Sequence, residues 1–162
     1  MEKTNSKRHF TASALVFHKG KILLLEHKKL GSWLYPGGHI EPNETPDEAV
    51  YREVKEETGI NVSIVDNRDM KLGDENVEVL HKPFAILCEL IDTPNDRHYH
   101  IDMIYICKSD TDVIKVNKNE TKNIGWFSHE DLQNLNLFPN FRVLLKKAFE
   151  YFNIKQYLDS TP

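Results

Sequence analysis

From Gly38 to Ile60 the chain reads GHIEPNETPDEAVYREVKEETGI. The punctuation of this stretch predicts a helix over 46–58. Thr45 stands where an N-cap belongs, Pro46 at the first helical position, Asp47 and Glu48 in the first turn, and Gly59 just past the last one. At about 100° per residue, Arg52, Glu53, Glu56 and Glu57 fall within an arc of roughly 140°. Three carboxylates and a guanidinium therefore share one face.

A helix left to itself would not favour that face. Glu53 and Glu57 form a like-charged i,i+4 pair with Glu56 beside them, and Glu56 and Glu57 lie in the last turn, where the backbone dipole disfavours anions. Arg52 offsets one charge as an i,i+4 partner of Glu56, in the weaker order for such a pair. A solvated Glu/Lys face is one reading of the pattern. The glycines and the spacing favour another, a hard divalent cation held by carboxylate oxygens. Mg2+ with positions left open for water and substrate phosphates suits that donor set. Gly37 and Gly38 would let the backbone turn with its polar groups exposed beside the carboxylates.

Gly38, Glu44, Arg52, Glu53, Val54, Glu56, Glu57, Gly59 and Ile60, with the intervals between them, resemble the Nudix box at every defining position. The resemblance implies a Mg2+- or Mn2+-dependent hydrolase of a nucleoside diphosphate linked to another moiety X, in which water attacks phosphorus and a phosphoanhydride bond breaks. By the same resemblance the carbonyl of Gly37 and the carboxylates of Glu53, Glu56 and Glu57 hold the metal, and Glu53 doubles as a general-base candidate. Arg52 and Glu44 orient those carboxylates. Glu120, in NKNETKNIGWF six positions before Trp126, matches a further catalytic or metal-binding glutamate that the family often places on such a loop. An ordinary exposed loop glutamate is its alternative reading. The fold implied is a single-domain α/β/α sandwich with a mixed β-sheet.

The rest of the chain is compatible with that frame. FTASALVF and KILLLEH read as strands of a hairpin, and INVSIVD, ENVEVLH, FAILCELI, HIDMIYICK and NIGWF as further strands. Ser128 can cap a short helix over HEDLQNL. A second helix over about 140–152 would bury Phe141, Leu144, Leu145 and Phe149. Residues 1–8 are polar and expected to fray, leaving 9–162 as one domain. In HYHIDMIYI a period of two puts His98, His100 and Asp102 on one face, where they could line a substrate pocket beyond the metal or end as a solvated strand tip. As a separate transition-metal site this triplet lacks a specified fourth ligand. Lys28 and Lys29 are candidates for a phosphate contact, with simple solvation at a strand end as the alternative. His39 follows the double glycine without an assigned role. Trp33, Tyr35, Tyr99 and Tyr105 fit core packing better than base stacking, and none is assigned to a base.

Composition excludes more than it specifies. A chain of 162 residues normally makes one domain with a core that needs no disulfide. A net charge of −4, with both signs spread along the sequence, argues against a protein that coats nucleic acid, and no DNA-binding element is evident. Small nucleotides are thus the preferred substrates. Cys88 and Cys107 sit in apolar runs and are expected to be buried reduced thiols in a cytoplasmic protein. Neither a signal peptide nor a membrane-spanning segment is expected. Self-association as a homodimer is common among similar proteins, although no stretch specifies an interface. A catalytically weak module that binds a nucleotide for regulation is the alternative function; degenerate members usually lose box glutamates, and this chain has them all.

Overall fold

A computed structural model describes residues 7–93, 96–115 and 121–159, with the backbone alone for 157–159. Strands β1 (Arg8–His18) and β2 (Lys21–His27) form a hairpin whose two turn residues, Lys19 and Gly20, both have positive φ (45° and 75°). That is the backbone twist a two-residue hairpin requires. β3 (Trp33–Leu34) and β4 (Gly37–His39) follow, then α1 (Pro46–Thr58), β5 (Ser63–Ile64), β6 (Ala85–Thr93), β7 (Asp96–Lys108), β8 (Thr121–Phe127) and α2 (Pro139–Asp159). Among the described residues all eight strands belong to one mixed sheet.

β1 is its pivot. Along one edge it pairs in parallel with β7, from Arg8 opposite Tyr99 to Phe17 opposite Lys108. Along the other edge it pairs with β2 only beside the hairpin, at Phe17 and His18, and with β4 at Thr11, Ala12 and Ser13. β2 leaves β1 to pair with β3 and β8. The gap so opened admits β4, and Gly37 and Gly38 enter the sheet there. The sheet begins at Arg8, inside the segment expected to fray.

Alternation along β1 and β7 builds two cores. Ala12, Ala14, Val16, Tyr105 and Cys107 face α1, which buries Ala49, Val50 and Val54 against them. Leu15, Phe17, Ile104 and Ile106 face α2, which buries the four residues expected of it and Ala148 and Phe152 besides. Phe17 stacks on Phe152 with ring centroids 4.3 Å apart and meets the edge of Phe149 at 5.0 Å. Helices on both faces of a mixed sheet make the α/β/α sandwich.

Four expectations need correction. ENVEVLH is not a strand: Asp74 and Val77 form one isolated bridge, Val77 is exposed, and the segment is held as a loop by polar contacts. The Asp47 carboxylate accepts from the His81 backbone N–H at 3.0 Å and meets its Nδ1 at 2.6 Å. INVSIVD contributes only two residues of strand, Ser63 and Ile64. Cys107 is buried as expected, but Cys88 is exposed, because it shares with the exposed Ile86 and Leu90 the solvent-facing side of β6. HEDLQNL forms a 3-10 turn over Asp131–Asn134 whose N-cap is Glu130, without a side-chain cap, and not Ser128; the Ser128 Oγ accepts from the Asp131 N–H in the turn that precedes it. Among the described residues no helix is long and apolar enough to cross a membrane.

Phe17→Ala should cost about 3–5 kcal/mol, since it empties the contact between sheet and α2. Val143→Ala, on the same helix but 56 % exposed, should stay within about 0.5 kcal/mol. Urea midpoints of the two variants check both values.

Candidate active site

α1 is bounded as its sequence dictates. The Thr45 Oγ1 accepts from the Glu48 N–H at 3.3 Å while the Glu48 carboxylate accepts from the Thr45 N–H at 2.8 Å, a reciprocal cap. At the other end Gly59 (φ 73°) donates to the Lys55 carbonyl. The helix so fixed presents its charged face beside β4. Arg52 is the centre of that face. Its Nε and Nη2 donate to the two oxygens of Glu44 at 2.8 and 2.9 Å, a fork-on-fork pair, and its Nη1 donates to Glu53 Oε1 at 2.7 Å. The same Nη1 lies 3.5 Å from Glu56 Oε2, and Nη2 also donates to the His39 carbonyl at 2.9 Å. Hydrogen bonding by Arg52 holds the Glu44 carboxyl below the usual carboxylate range, and Glu44 in turn raises the Arg52 guanidinium above its own. Glu44 is anchored from behind by the Glu41 N–H at 2.9 Å.

The double glycine meets this face by close approach. The Gly37 N–H donates to Glu57 Oε2 at 3.0 Å, and a Cβ at Gly38 would stand 2.6 Å from the Glu53 carboxyl carbon. On the opposite side a Cβ at Gly37 would strike Ser13. Only backbone fits between β1 and the carboxylates. The Glu53 and Glu57 carboxylates against the half-buried backbone of Gly37 and Gly38, with the exposed Glu56 on the same helix face and one guanidinium among them, form an oxygen-rich and net negative donor set. It fits a hard divalent cation such as Mg2+ or Mn2+.

The sheet face turned away from α1 changes character along its length. Near the hairpin it is apolar and covered by α2; toward the start of β1 and β7 it is polar. Asp102 is 2 % exposed and accepts from Thr11 Oγ1 at 2.9 Å, Ser13 Oγ at 2.8 Å and the Tyr35 hydroxyl at 2.9 Å. Burial raises its carboxyl above the usual range in spite of these donors. Glu89 lies 3.3 Å from the same Tyr35 oxygen and is raised by burial and by Asp102. Tyr35 has one proton to give, and the shorter contact goes to Asp102. Beyond this network four imidazoles gather. His98 Nε2 is 3.0 Å from His100 Nε2, and His39 Nε2 is 3.3 Å from His9 Nδ1. Burial, then His39, His98 and His9, push His100 down to about 4, so it is neutral near pH 7. An open groove lined by His9, Phe10, His39, Ile40, Pro46 and Met103 runs past this end of the sheet.

A NUDIX domain model matches residues 7–148 of the chain. The chain belongs to the Nudix hydrolase family. The solved structure of a NUDIX-family hydrolase from Clostridium perfringens superposes with a TM-score of 0.79 at 37 % identity, covering 90 % of this chain and 99 % of that one. A MutT protein from Methanosarcina mazei, at 24 % identity and a TM-score of 0.63, shares the fold over 95 % of this chain and 99 % of its own. Among curated proteins, the "Probable DHNTP pyrophosphohydrolase" of Lactococcus lactis is 35 % identical over 106 residues, which is 64 % of this chain and little more than half, 56 %, of that protein. Nucleoside triphosphatase NudI of an Enterobacter species is 31 % identical over 66 % of this chain and 69 % of its own.

Gly37 and the box residues Gly38, Glu44, Arg52, Glu53, Glu56 and Glu57 are brought together by β4, the turn that follows it and α1. Glu120 lies outside the described residues. His98, His100 and Asp102 share a face, as their period of two requires, but at different depths: the histidines touch one another, whereas Asp102 is sealed in its hydroxyl network. Lys28 and Lys29 stand exposed in the turn between β2 and β3, and β1 separates their strand from β7. Sequence reasoning missed His9, Thr11, Ser13 and Glu89. Their signal was present for Thr11 and Ser13, which interrupt an apolar strand at a period of two; His9 continues it to the strand start.

Tyr35→Phe should cost about 1–3 kcal/mol, because it strips one donor from a buried carboxylate; the urea midpoint checks it. Gly38→Ala should leave the protein folded and displace the Glu53 carboxylate, lowering metal-dependent turnover about 100-fold. Steady-state rates beside a melting curve separate misplacement from unfolding.

Proposed function

We propose that this chain is a divalent-metal-dependent pyrophosphohydrolase that cleaves a phosphoanhydride bond in a nucleoside diphosphate linked to a further moiety, with a small nucleotide as its substrate. The observation that carries the reading is the approach of Glu53 and Glu57 to the backbone of Gly37 and Gly38, with Arg52 hydrogen-bonded to Glu53 and 3.5 Å from the exposed Glu56 carboxylate. In this reading Glu53, Glu56, Glu57 and the Gly37 carbonyl hold Mg2+ or Mn2+. When bound, such an ion polarises phosphoryl oxygens and makes water a better nucleophile near neutral pH.

The protein's own residues supply position. The Gly37 N–H fixes one oxygen of Glu57, and Arg52 fixes Oε1 of Glu53, so both carboxylates are set before substrate arrives. Glu44 holds Arg52 by its fork and keeps the guanidinium from collapsing wholly onto Glu53 and Glu56. Glu53, largely shielded between Arg52 and Gly38, is the candidate to accept the proton of the attacking water. Across β4 the polar part of the sheet, bounded by Tyr35, Glu89, His100 and His39, is the surface offered to the nucleoside. The relative named a nucleoside triphosphatase supports a small nucleotide, as does a net charge of −4, which disfavours binding of a long polyanion.

A panel of nucleoside triphosphates, nucleotide sugars and dinucleotides, assayed with Mg2+ and with Mn2+, tests the proposal. Metal-dependent release of a monophosphate or pyrophosphate is expected. Glu57→Gln should reduce turnover by about 100-fold or more while its melting curve persists. Nucleotide-dependent thermal stabilisation without hydrolysis under any of these conditions would instead identify a binding module.

A further inference from the structure

We propose that His9, His98 and His100 form a binding site for a divalent transition-metal ion of the zinc class, separate from the carboxylate site, and that His39 positions His9 within it. Half of the chain's eight histidines meet here, from three strands that are far apart in sequence. β1–β7 pairing sets His9 directly opposite His100, the period of two puts His98 beside them, and β4 brings His39 opposite Thr11. One ring nitrogen from each of His9, His98 and His100 lies within 4.8 Å of the other two. Around an ion with zinc–nitrogen bonds of about 2.0–2.1 Å, tetrahedral geometry spaces the nitrogens by about 3.3 Å. His98 and His100 already present their Nε2 atoms to each other at 3.0 Å.

His98 carries a second, independent mark of a ligand. It is 7 % exposed, and its buried Nδ1 makes no hydrogen bond, although the Asp96 carboxylate stands 3.1 Å away. A metal on Nε2 would fix the ring proton on Nδ1, facing that carboxylate. Carboxylate, imidazole and ion in line is the arrangement that orients histidine ligands at metal sites. His9 has its own orienting contact, the 3.3 Å approach of His39 Nε2 to its Nδ1. An all-imidazole set suits Zn2+, Ni2+, Co2+ or Cu2+ and is a poor home for Mg2+, so the two sites select different ions. Three protein ligands leave a coordination position for solvent or a ligand oxygen. An ion here would also pin the start of β1 to the start of β7, where the Tyr99 N–H bonds the Lys7 carbonyl at 2.9 Å.

The test uses the full chain, freed of metal with a chelator and titrated with Zn2+ and with Co2+ in buffer containing Mg2+. One equivalent should bind the parent and a Glu53→Gln/Glu57→Gln variant alike, with Co2+ absorption bands of nitrogen coordination and a rise in Tm. His98→Gln/His100→Gln should weaken binding by about 100-fold or more and His39→Ala by about 10-fold, with Tm of the metal-free variants showing that they are folded. If the double variant does not fold, His9→Gln carries the same comparison. His18→Ala/His27→Ala, remote from the cluster, should bind as the parent does. Absence of binding in the parent, unchanged affinity in the folded histidine variants, or loss of the site with the glutamates instead would each overturn the proposal. No arm reads hydrolysis, so failure here leaves the pyrophosphohydrolase reading untouched.

Discussion

The close approach of the Gly37–Gly38 backbone to the carboxylates of α1 is the constraint around which the molecule is arranged. Two carboxylates about 4 Å apart repel by about 1 kcal/mol in water and by several times that in the lower effective dielectric of a protein surface. Such a face is tolerable only where cationic groups and peptide N–H groups are held against it. Arg52 supplies the first and Gly37 the second. Both need β4 within the sheet beside α1, and this explains why β1 and β2 part so soon after their hairpin. With β1 and β2 paired along their length, there would be no edge for β4 to join, and the glycines would have no path to the helix.

β1 also decides what lies on each side of the sheet. Its α1 face is Ala12, Ala14 and Val16, small enough to let the helix sit close. Its other face runs from His9 through Thr11 and Ser13 to Leu15 and Phe17, polar at one end and apolar at the other. α2 covers the apolar end, where Phe17, Phe149 and Phe152 pack ring on ring. The polar end is satisfied internally instead, by Asp102 accepting from Thr11, Ser13 and Tyr35. A buried carboxylate with three hydroxyl donors is rigid, and rigidity in Tyr35 fixes the segment that leads directly into β4.

The helix of the Nudix box was legible to the residue, from Thr45 to Gly59, because caps, proline and glycine act locally. The second helix was legible in its apolar face and underestimated in length, its pattern weakening after Phe152. ENVEVLH shows the opposite case. Its alternation suits a strand, but a strand exists only with a partner, and here Asp47 and His81, 34 positions apart, hold the segment as a loop. Cys88 was misjudged for a related reason: an apolar run reports that a strand forms, not that both of its faces are covered. The period of two grouped His98, His100 and Asp102 correctly and could not give their depths, which depend on what β1, β4 and β6 place opposite each. His9 illustrates the same limit, since a lone histidine near a polar terminus acquires meaning only through its pairing with His100.

His39 joins the two ends of this organisation. Its carbonyl accepts from Arg52, the residue that orients the carboxylates, while its ring reaches His9 on the far face of the sheet. A single strand residue thus touches an oxygen-rich group of side chains through its backbone and a nitrogen-rich group through its side chain. The two groups cannot exchange roles, since carboxylates favour hard cations and imidazoles borderline ones. Any movement of β4 that shifts the His39 ring must also move the carbonyl that helps hold Arg52. Three residues of strand, fastened to β1 by three pairs of residues, are therefore enough to tie the geometry of one face to that of the other.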